Sequence, residues 1–151
     1  MGIVKTKHMK RDFPYDLLLE ADPSSSHIDR YIREGYCYVA VEKEEIMGVY
    51  VLVKKEENTI EIMNIAVRED RRGQGIGKAL IHDAIQRSAD HGAKKVVIGT
   101  GNSSLDQLAL YQKCHFRITE IIEGFFDHYP EPIIENGIPC RDMIRLSYEI
   151  K

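Results

Sequence analysis

No run in the 151 residues is apolar for long enough to span a bilayer, and the first residues hold no uninterrupted apolar stretch of the kind that targets a chain for export. Cysteine is scarce. Cys37, Cys114 and Cys140 are odd in number, far apart and form no C-x-x-C pair, which argues against a disulfide framework and for reduced thiols. The histidines (His8, His27, His82, His91, His115 and His128) never fall at a metal-ligand spacing on a plausible helix, so no metal is expected. A basic surplus is missing too: 21 Lys and Arg stand against 24 Asp and Glu, a net charge of −3, the wrong sign for a dedicated nucleic-acid binder. There is no internal repeat, low-complexity tract or linker. These absences predict a single domain over residues 1–151, soluble and cytoplasmic, with neither membrane nor nucleic acid as partner. A chain of this length buries a real core without a staple.

What is present reads as alternating elements. Residues 2–9 alternate weakly, as a first strand would. Residues 13–20 suit a short helix ended by Ala21-Asp22-Pro23, and Ser24-Ser25-Ser26 offers N-cap hydroxyls for a second helix through Ile28, Tyr31 and Ile32 to Gly35. Residues 36–42 and 46–55 read as strands joined by a turn at Lys43-Glu44-Glu45, with a third strand at 59–67. A polar stretch, 68–74, precedes a helix over 75–91, whose packing face is Ile81, Ala84, Ile85 and Ser88 and whose end Gly92 is placed to cap. Residues 94–99 form a short buried strand. Residues 103–114 form a helix capped by Asn102 or Ser103, with Leu105, Leu108 and Ala109 as its stripe. Strands at 116–126 and 141–150 enclose a loop, 127–140, that holds three of the five prolines. The order predicts a mixed α/β sheet with helices on both faces.

The informative segment is Val67-Arg68-Glu69-Asp70-Arg71-Arg72-Gly73-Gln74-Gly75-Ile76-Gly77-Lys78. A strand runs into a basic loop, and alternating glycines open a helix. Glycine lets the backbone approach an anion closely, and the first helical turn presents unpartnered N–H groups at the positive end of the macrodipole. Together they make a pyrophosphate cradle, with Arg71, Arg72 and Lys78 adding mobile positive charge. The spacing is wrong for a Walker A loop, and Ala79 stands where Ser or Thr would coordinate magnesium. The pattern G-x-G-x-G also departs from the Rossmann G-x-G-x-x-G and follows a meander rather than opening a βαβ unit. H-R-D and D-F-G elements are missing, which excludes a kinase.

Two segments resemble the GNAT superfamily of N-acetyltransferases. Arg72-Gly73-Gln74-Gly75-Ile76-Gly77 behind Ile65-Ala66-Val67 is similar to its [RQ]-x-x-G-x-[GA] signature. Asn102 followed by Ala109-Leu110-Tyr111-Gln112-Lys113-Cys114-His115-Phe116 is similar to its N…A-x-x-Y-x-x-x-G-F segment. The departure is His115 in place of glycine, at a helix end that favours φ > 0; His tolerates that conformation better than most, and its imidazole has a second reading as a neighbour of the cofactor thiol. The resemblance implies a mostly antiparallel sheet of about seven strands flanked by about four helices, and acetyl-CoA as cosubstrate. It implies that Ile65, Ala66 and Val67, with Asn64, present backbone groups to the thioester and pantetheine arm, that Arg72, Gly73, Gln74, Gly75, Ile76, Gly77 and Lys78 hold the pyrophosphate, and that Asn102 bonds the arm. Tyr111 matches the general acid.

The general base is open. Glu61 alternates with Ile60 and Ile62 on the strand leading to the reacting centre, and His115 and His128 are alternatives on pKa grounds. The expected acceptor is the primary amine of a small molecule, held between residues 13–35 and 125–141. In the second segment Phe125, Phe126, Tyr129, Glu131 and Glu135 suit a cationic or aromatic amine. Peptide and protein amines are substrates elsewhere in the family, and a non-catalytic acyl-CoA sensor is the reading from another class. The family also makes a homodimer an expectation.

Overall fold

Lys43 and Glu44 take φ values of 51° and 67°, the left-handed pair that closes a tight hairpin. It joins strands β2 (Tyr36–Glu42) and β3 (Glu45–Glu56), as the charged tripeptide predicted. The chain is described by a computed structural model over residues 2–5 and 13–151. Strand β1 is Gly2–Lys5; residues 6–9 of the expected first strand lie outside the described residues. The remaining strands are β4 (Thr59–Val67), β5 (Lys95–Gly101), β6 (Arg117–Ile122), β7 (Ile134–Glu135), β8 (Ile138–Pro139) and β9 (Met143–Glu149). The helices are α1 (Tyr15–Ala21), α2 (Ser25–Glu34), α3 (Ile76–Asp90) and α4 (Leu105–Lys113). Among the described residues no helix is long and apolar enough to cross a membrane.

Seven strands form one sheet in the order β1-β2-β3-β4-β5-β9-β6. Only β4 and β5 pair in parallel; their neighbours pair antiparallel. Alternation along the strands sends Tyr38, Leu52, Ile62 and Ile98 to one face, where α3 and α4 bury Leu80, Ile81, Ala84 and Tyr111 against them. The other face sends Val39, Val49 and Val51 against Leu18 of α1 and Ile28 of α2. Leu18 and Ile28 are fully buried, and each such side chain contributes about 1.5–3 kcal/mol. The helix α2 starts as the serine run predicted: the Ser24 Oγ accepts the His27 N–H at 3.3 Å.

The parallel pairing of β4 with β5 covers only Thr59–Ile62 against Lys95–Ile98. Beyond it β4 stays with β3, β5 stays with β9, and a gap opens between them. The cause lies in β4. Val51 pairs with Asn64 but Leu52 with Ile62, so Met63 is an extra residue, and a bulge of this kind bends its strand.

Three expectations for α4 need correction. Its cap residue is Ser104, without a side-chain cap bond, because the Ser104 Oγ donates to Glu135 instead. Leu105 and Ala109 are exposed, and the buried residue of the helix is Tyr111. The helix end, by contrast, is as the sequence implied. His115 takes φ 74°, and the N–H groups of His115 and Phe116 each donate at 3.0 Å, to the Gln112 and Tyr111 carbonyls. This is the pairing of a Schellman cap. His115 is exposed, so nothing repays its strain. His115→Gly should stabilise the protein by about 0.5–1 kcal/mol, the left-handed penalty less the entropy of glycine, and raise the melting temperature by about 1–4 °C. A lower melting temperature in a thermal scan would show that the imidazole contributes.

Candidate active site

The chain leaves β4 at Val67, makes a short turn of 3-10 helix at Glu69–Arg71 and enters α3. Gly73 and Gly75 have φ 78° and 82°, and a Cβ at either would meet only open space. Conformation, and not crowding, selects glycine there. Gly77 differs: its Cβ would stand 3.2 Å from Leu110 Cδ2, so glycine there brings α3 close to α4. The first N–H bonded within the helix is that of Ala79, on the Gly75 carbonyl at 3.0 Å. Those of Ile76, Gly77 and Lys78 precede it and need an outside acceptor. Since the Ile76 side chain is buried, its backbone is all it offers. Open left-handed glycines beside free N–H groups fit a pyrophosphate.

The arginines are less mobile than the sequence suggested. Arg71 donates to Glu42 at 3.0 Å and to Gln74 at 3.1 Å. Arg68 is held by Asp70 at 2.6 Å and Glu45 at 3.3 Å. Arg72 donates to the Val67 carbonyl at 3.3 Å and pairs with Glu20 at 3.7 Å; more than half exposed, it is the guanidinium best able to turn toward a phosphate. Lys78 is exposed in the first turn of α3.

Ile65, Ala66 and Val67 pair with Tyr50, Val49 and Gly48 on the β3 side, which leaves their far edge on the gap. Tyr111 rises to this gap from α4, 3% exposed. Burial alone pushes its phenol well above the ordinary value, so it stays protonated at neutral pH. Asn102 also joins two stretches of backbone. Its Oδ1 accepts the N–H groups of Arg141 at 2.8 Å and Asp142 at 3.0 Å, and its Nδ2 donates to the Pro139 carbonyl at 3.1 Å. The second Nδ2 hydrogen has no partner among the described residues, and Asn102 also fastens the end of β5 to the segment entering β9.

A cavity of about 1080 Å³ runs from the gap and Tyr111 to a wall made by the α1–α2 corner and residues 125–135. Glu20, Asp22, Glu34, Glu61, Glu131 and Glu135 line it against Arg30 and Lys55, so carboxylates dominate. Phe125, Phe126 and Tyr129 form an aromatic side, with ring centroids 5.0 and 5.4 Å apart. Glu61, a candidate base from the sequence, is buried and ion-paired to Arg145 at 2.9 Å. His115 and His128 are exposed and stand outside the lining.

The family model for the acetyltransferase (GNAT) family matches residues 6–116. The chain belongs to this family. It is 53% identical over 137 residues to the uncharacterized N-acetyltransferase YvbK of Bacillus subtilis (strain 168), covering 90% of this chain and 88% of that one. An IAA acetyltransferase from Bacillus cereus ATCC 14579 superimposes on 99% of this chain at 50% identity and TM-score 0.93, with 99% of that chain covered. A GNAT family acetyltransferase from Elizabethkingia anophelis with acetyl-CoA bound does so over 99% of this chain and 97% of its own, at 52% identity and TM-score 0.94. The protein is thus an acetyl-CoA-dependent acyltransferase with the GNAT fold.

In this acetyltransferase, sequence reasoning missed a connected set of polar side chains on the α1–α2 side of the gap. Asn64 follows the bulged Met63, and its Nδ2 donates to the Leu18 carbonyl at 2.9 Å and to the Tyr31 hydroxyl at 2.8 Å. Tyr31 donates to Asp22 Oδ2 at 3.2 Å. Asp22 Oδ1 accepts the Ser24 N–H at 3.0 Å and the Tyr129 hydroxyl at 3.4 Å, and His27 Nδ1 lies 3.5 Å from that hydroxyl. Only the Asp22-Pro-Ser24 corner left a trace in the sequence, as a helix start.

Proposed function

We propose that the protein transfers the acetyl group of acetyl-CoA to the primary amine of a small cationic molecule, by direct attack of that amine while donor and acceptor are bound together. The observation that carries this is the single cavity joining Tyr111 and the β4–β5 gap to the acidic, aromatic wall. Donor and acceptor have room side by side there. Carboxylates with Phe125, Phe126 and Tyr129 favour a positively charged molecule through charge pairing and cation–π contact.

In this reading the α3 N-terminus with Gly73, Gln74, Gly75 and Gly77 holds the pyrophosphate, helped by Arg72 and Lys78. The open edge of β4 at Ile65, Ala66 and Val67 holds the pantetheine arm, and its N–H groups face the carbonyl oxygen as negative charge develops there. Acetyl-CoA supplies an activated acyl group on a thiol leaving group of pKa about 8.5. Tyr111 gives its proton to the departing sulfur. Its phenol is made a weaker acid by burial, but the same desolvation acts on the thiolate and keeps the two matched. Glu61, held by Arg145, sets negative charge on the cavity floor beside the gap and orients the acceptor's cation.

Release of free thiol from acetyl-CoA tests this with 2-phenylethylamine, spermidine and a lysine-containing pentapeptide in parallel. Turnover of either small amine at a kcat/KM at least about tenfold above the peptide's is the expected result, a difference of about 1.4 kcal/mol in transition-state binding. Preference for the peptide would move the acceptor to protein amines. No thiol release from any of the three would overturn the reading.

A further inference from the structure

Resting on the amine-transfer reading above, we propose that Asp22, reached through Tyr31, accepts the proton that the attacking nitrogen loses. Asn64 sits at the bulge that opens the gap and places the Tyr31 hydroxyl beside it, 2.8 Å from its own Nδ2. A phenol oxygen has two acceptor lone pairs and one proton. On Tyr31 one lone pair takes the Asn64 N–H and the proton goes to Asp22 at 3.2 Å. The second lone pair remains for an N–H donor in the cavity, which Tyr31 lines. Beyond Asp22, Tyr129 and His27 continue the chain of polar atoms to the exposed rim.

The groups that face Asp22 are Tyr31 of α2, Tyr129 of the segment after β6, and the Ser24 N–H, with His27 one step further on, against the Tyr129 hydroxyl. Burial first, then the charge of Asp22, pushes the Tyr129 phenol up to about 12. Tyr31 is raised as well, chiefly by burial. Both phenols therefore carry protons at neutral pH without releasing them to water. Asp22 forms no ion pair among the described residues, whereas Glu61 is tied to Arg145 at 2.9 Å. Of the carboxylates lining the cavity, Asp22 is the one joined by hydrogen bonds to the bulge.

The bound ammonium first gives one proton through the Tyr31 hydroxyl to Asp22, which passes it to water, and the freed lone pair attacks the thioester carbonyl. As the C–N bond forms, the nitrogen becomes strongly acidic, and a second N–H bond breaks toward the Tyr31 oxygen while the Tyr31 O–H bond breaks toward Asp22 Oδ2. The electrons of the C–S bond leave with sulfur, which takes the Tyr111 proton. Asp22 then releases its proton to water past Tyr129 and His27, and Tyr111 recovers one from water.

The test uses the full chain with acetyl-CoA and 2-phenylethylamine, or spermidine if that is the better acceptor, and reads kcat between pH 6 and 9. Asp22→Asn keeps the Oδ1 acceptor for the Ser24 N–H, so the corner retains its shape. It should lower kcat about 10²–10³-fold, the usual size of a general-base effect. Its remaining rate should gain about a further tenfold per pH unit over wild type, because hydroxide replaces the missing base. Acetyl-CoA affinity and melting temperature should match wild type, which a merely structural role would not give. Tyr31→Phe should show the same loss and the same added slope, and carries the test alone if Asp22→Asn fails to fold. A wild-type kcat and slope in both variants overturns the proposal and leaves amine transfer standing, as does the added slope appearing in Glu61→Gln instead. If wild type acetylates neither amine, the acceptor reading and this proposal fall together.

Discussion

Tyr111→Phe is expected to lower kcat by about 10²–10⁴-fold while acetyl-CoA binds as tightly as before and the fold loses no stability. The two halves of this expectation come from different parts of one side chain. The ring belongs to the core under α3 and α4, 6.4 Å from the Phe116 ring, and phenylalanine keeps it. The hydroxyl meets no hydrogen-bond partner among the described residues, and its acidity is shifted by burial alone. Removing it therefore leaves no orphaned partner behind, and stability should stay close to wild type. A residue kept only for packing would show an unchanged rate, because phenylalanine keeps the ring. The sign of the pH effect is fixed as well. A phenol raised above its ordinary value keeps its proton to higher pH, so any alkaline loss of kcat due to Tyr111 begins above pH about 10. Thiol release with 2-phenylethylamine, a binding isotherm for acetyl-CoA and a thermal scan separate these outcomes. A wild-type kcat would remove Tyr111 from the proton transfer.

What the sequence made legible was local. Ser24 before Ile28 and Tyr31, the alternation in residues 59–67, and the Gly73-Gln74-Gly75 turn each contain their own physical signal within a few residues, and each appears where expected. Element ends were one to four residues off where the ends fray or tighten, as at residues 123–126, which leave β6 for a turn of 3-10 helix at Phe125–His128. The short β7–β8 hairpin lay inside the expected loop, although Asn136 and Gly137, at φ 56° and 73°, are the residue pair that favours such a turn most strongly. The prolines around it masked that signal. The face of α4 was misread because Leu105 and Ala109 outweigh a single tyrosine in any hydrophobic stripe, whereas burial followed the position that points into the sheet.

The site itself divides in the same way. The glycine turn is contiguous and could be read; the polar side-chain set could not, because its bonds join residues 9, 33 and 107 positions apart. Asn102 was found for a motif, and its motif position says nothing about the Arg141 and Asp142 N–H groups that converge on it. Glu61 was found by alternation, which fixes the face it occupies but not the Arg145 opposite it on β9.

Gly75→Asp is expected to weaken acetyl-CoA binding about a hundredfold, or about 3 kcal/mol, with the protein still folded. Space is not the reason, since a Cβ at Gly75 meets nothing within 4 Å. Conformation contributes a part: φ is 82°, and Asp enters the left-handed region more readily than most residues, at about 1–2 kcal/mol. The larger effect is charge. A carboxylate would stand at the N-cap of α3, among the N–H groups proposed to hold the pyrophosphate, and like charges a few ångströms apart near a protein surface repel by a few kcal/mol. The comparison that isolates this is Gly75→Asn, which has the same size and the same tolerance of positive φ without the charge. Asn should bind acetyl-CoA at least about tenfold more tightly than Asp, and the difference should shrink as salt screens the repulsion. The two variants should melt within a few degrees of each other, because the backbone strain is common to both. Equal affinities for Asp and Asn, insensitive to salt, would mean that the phosphates do not rest on this turn, and the anion site would have to be sought nearer Arg72 and Lys78.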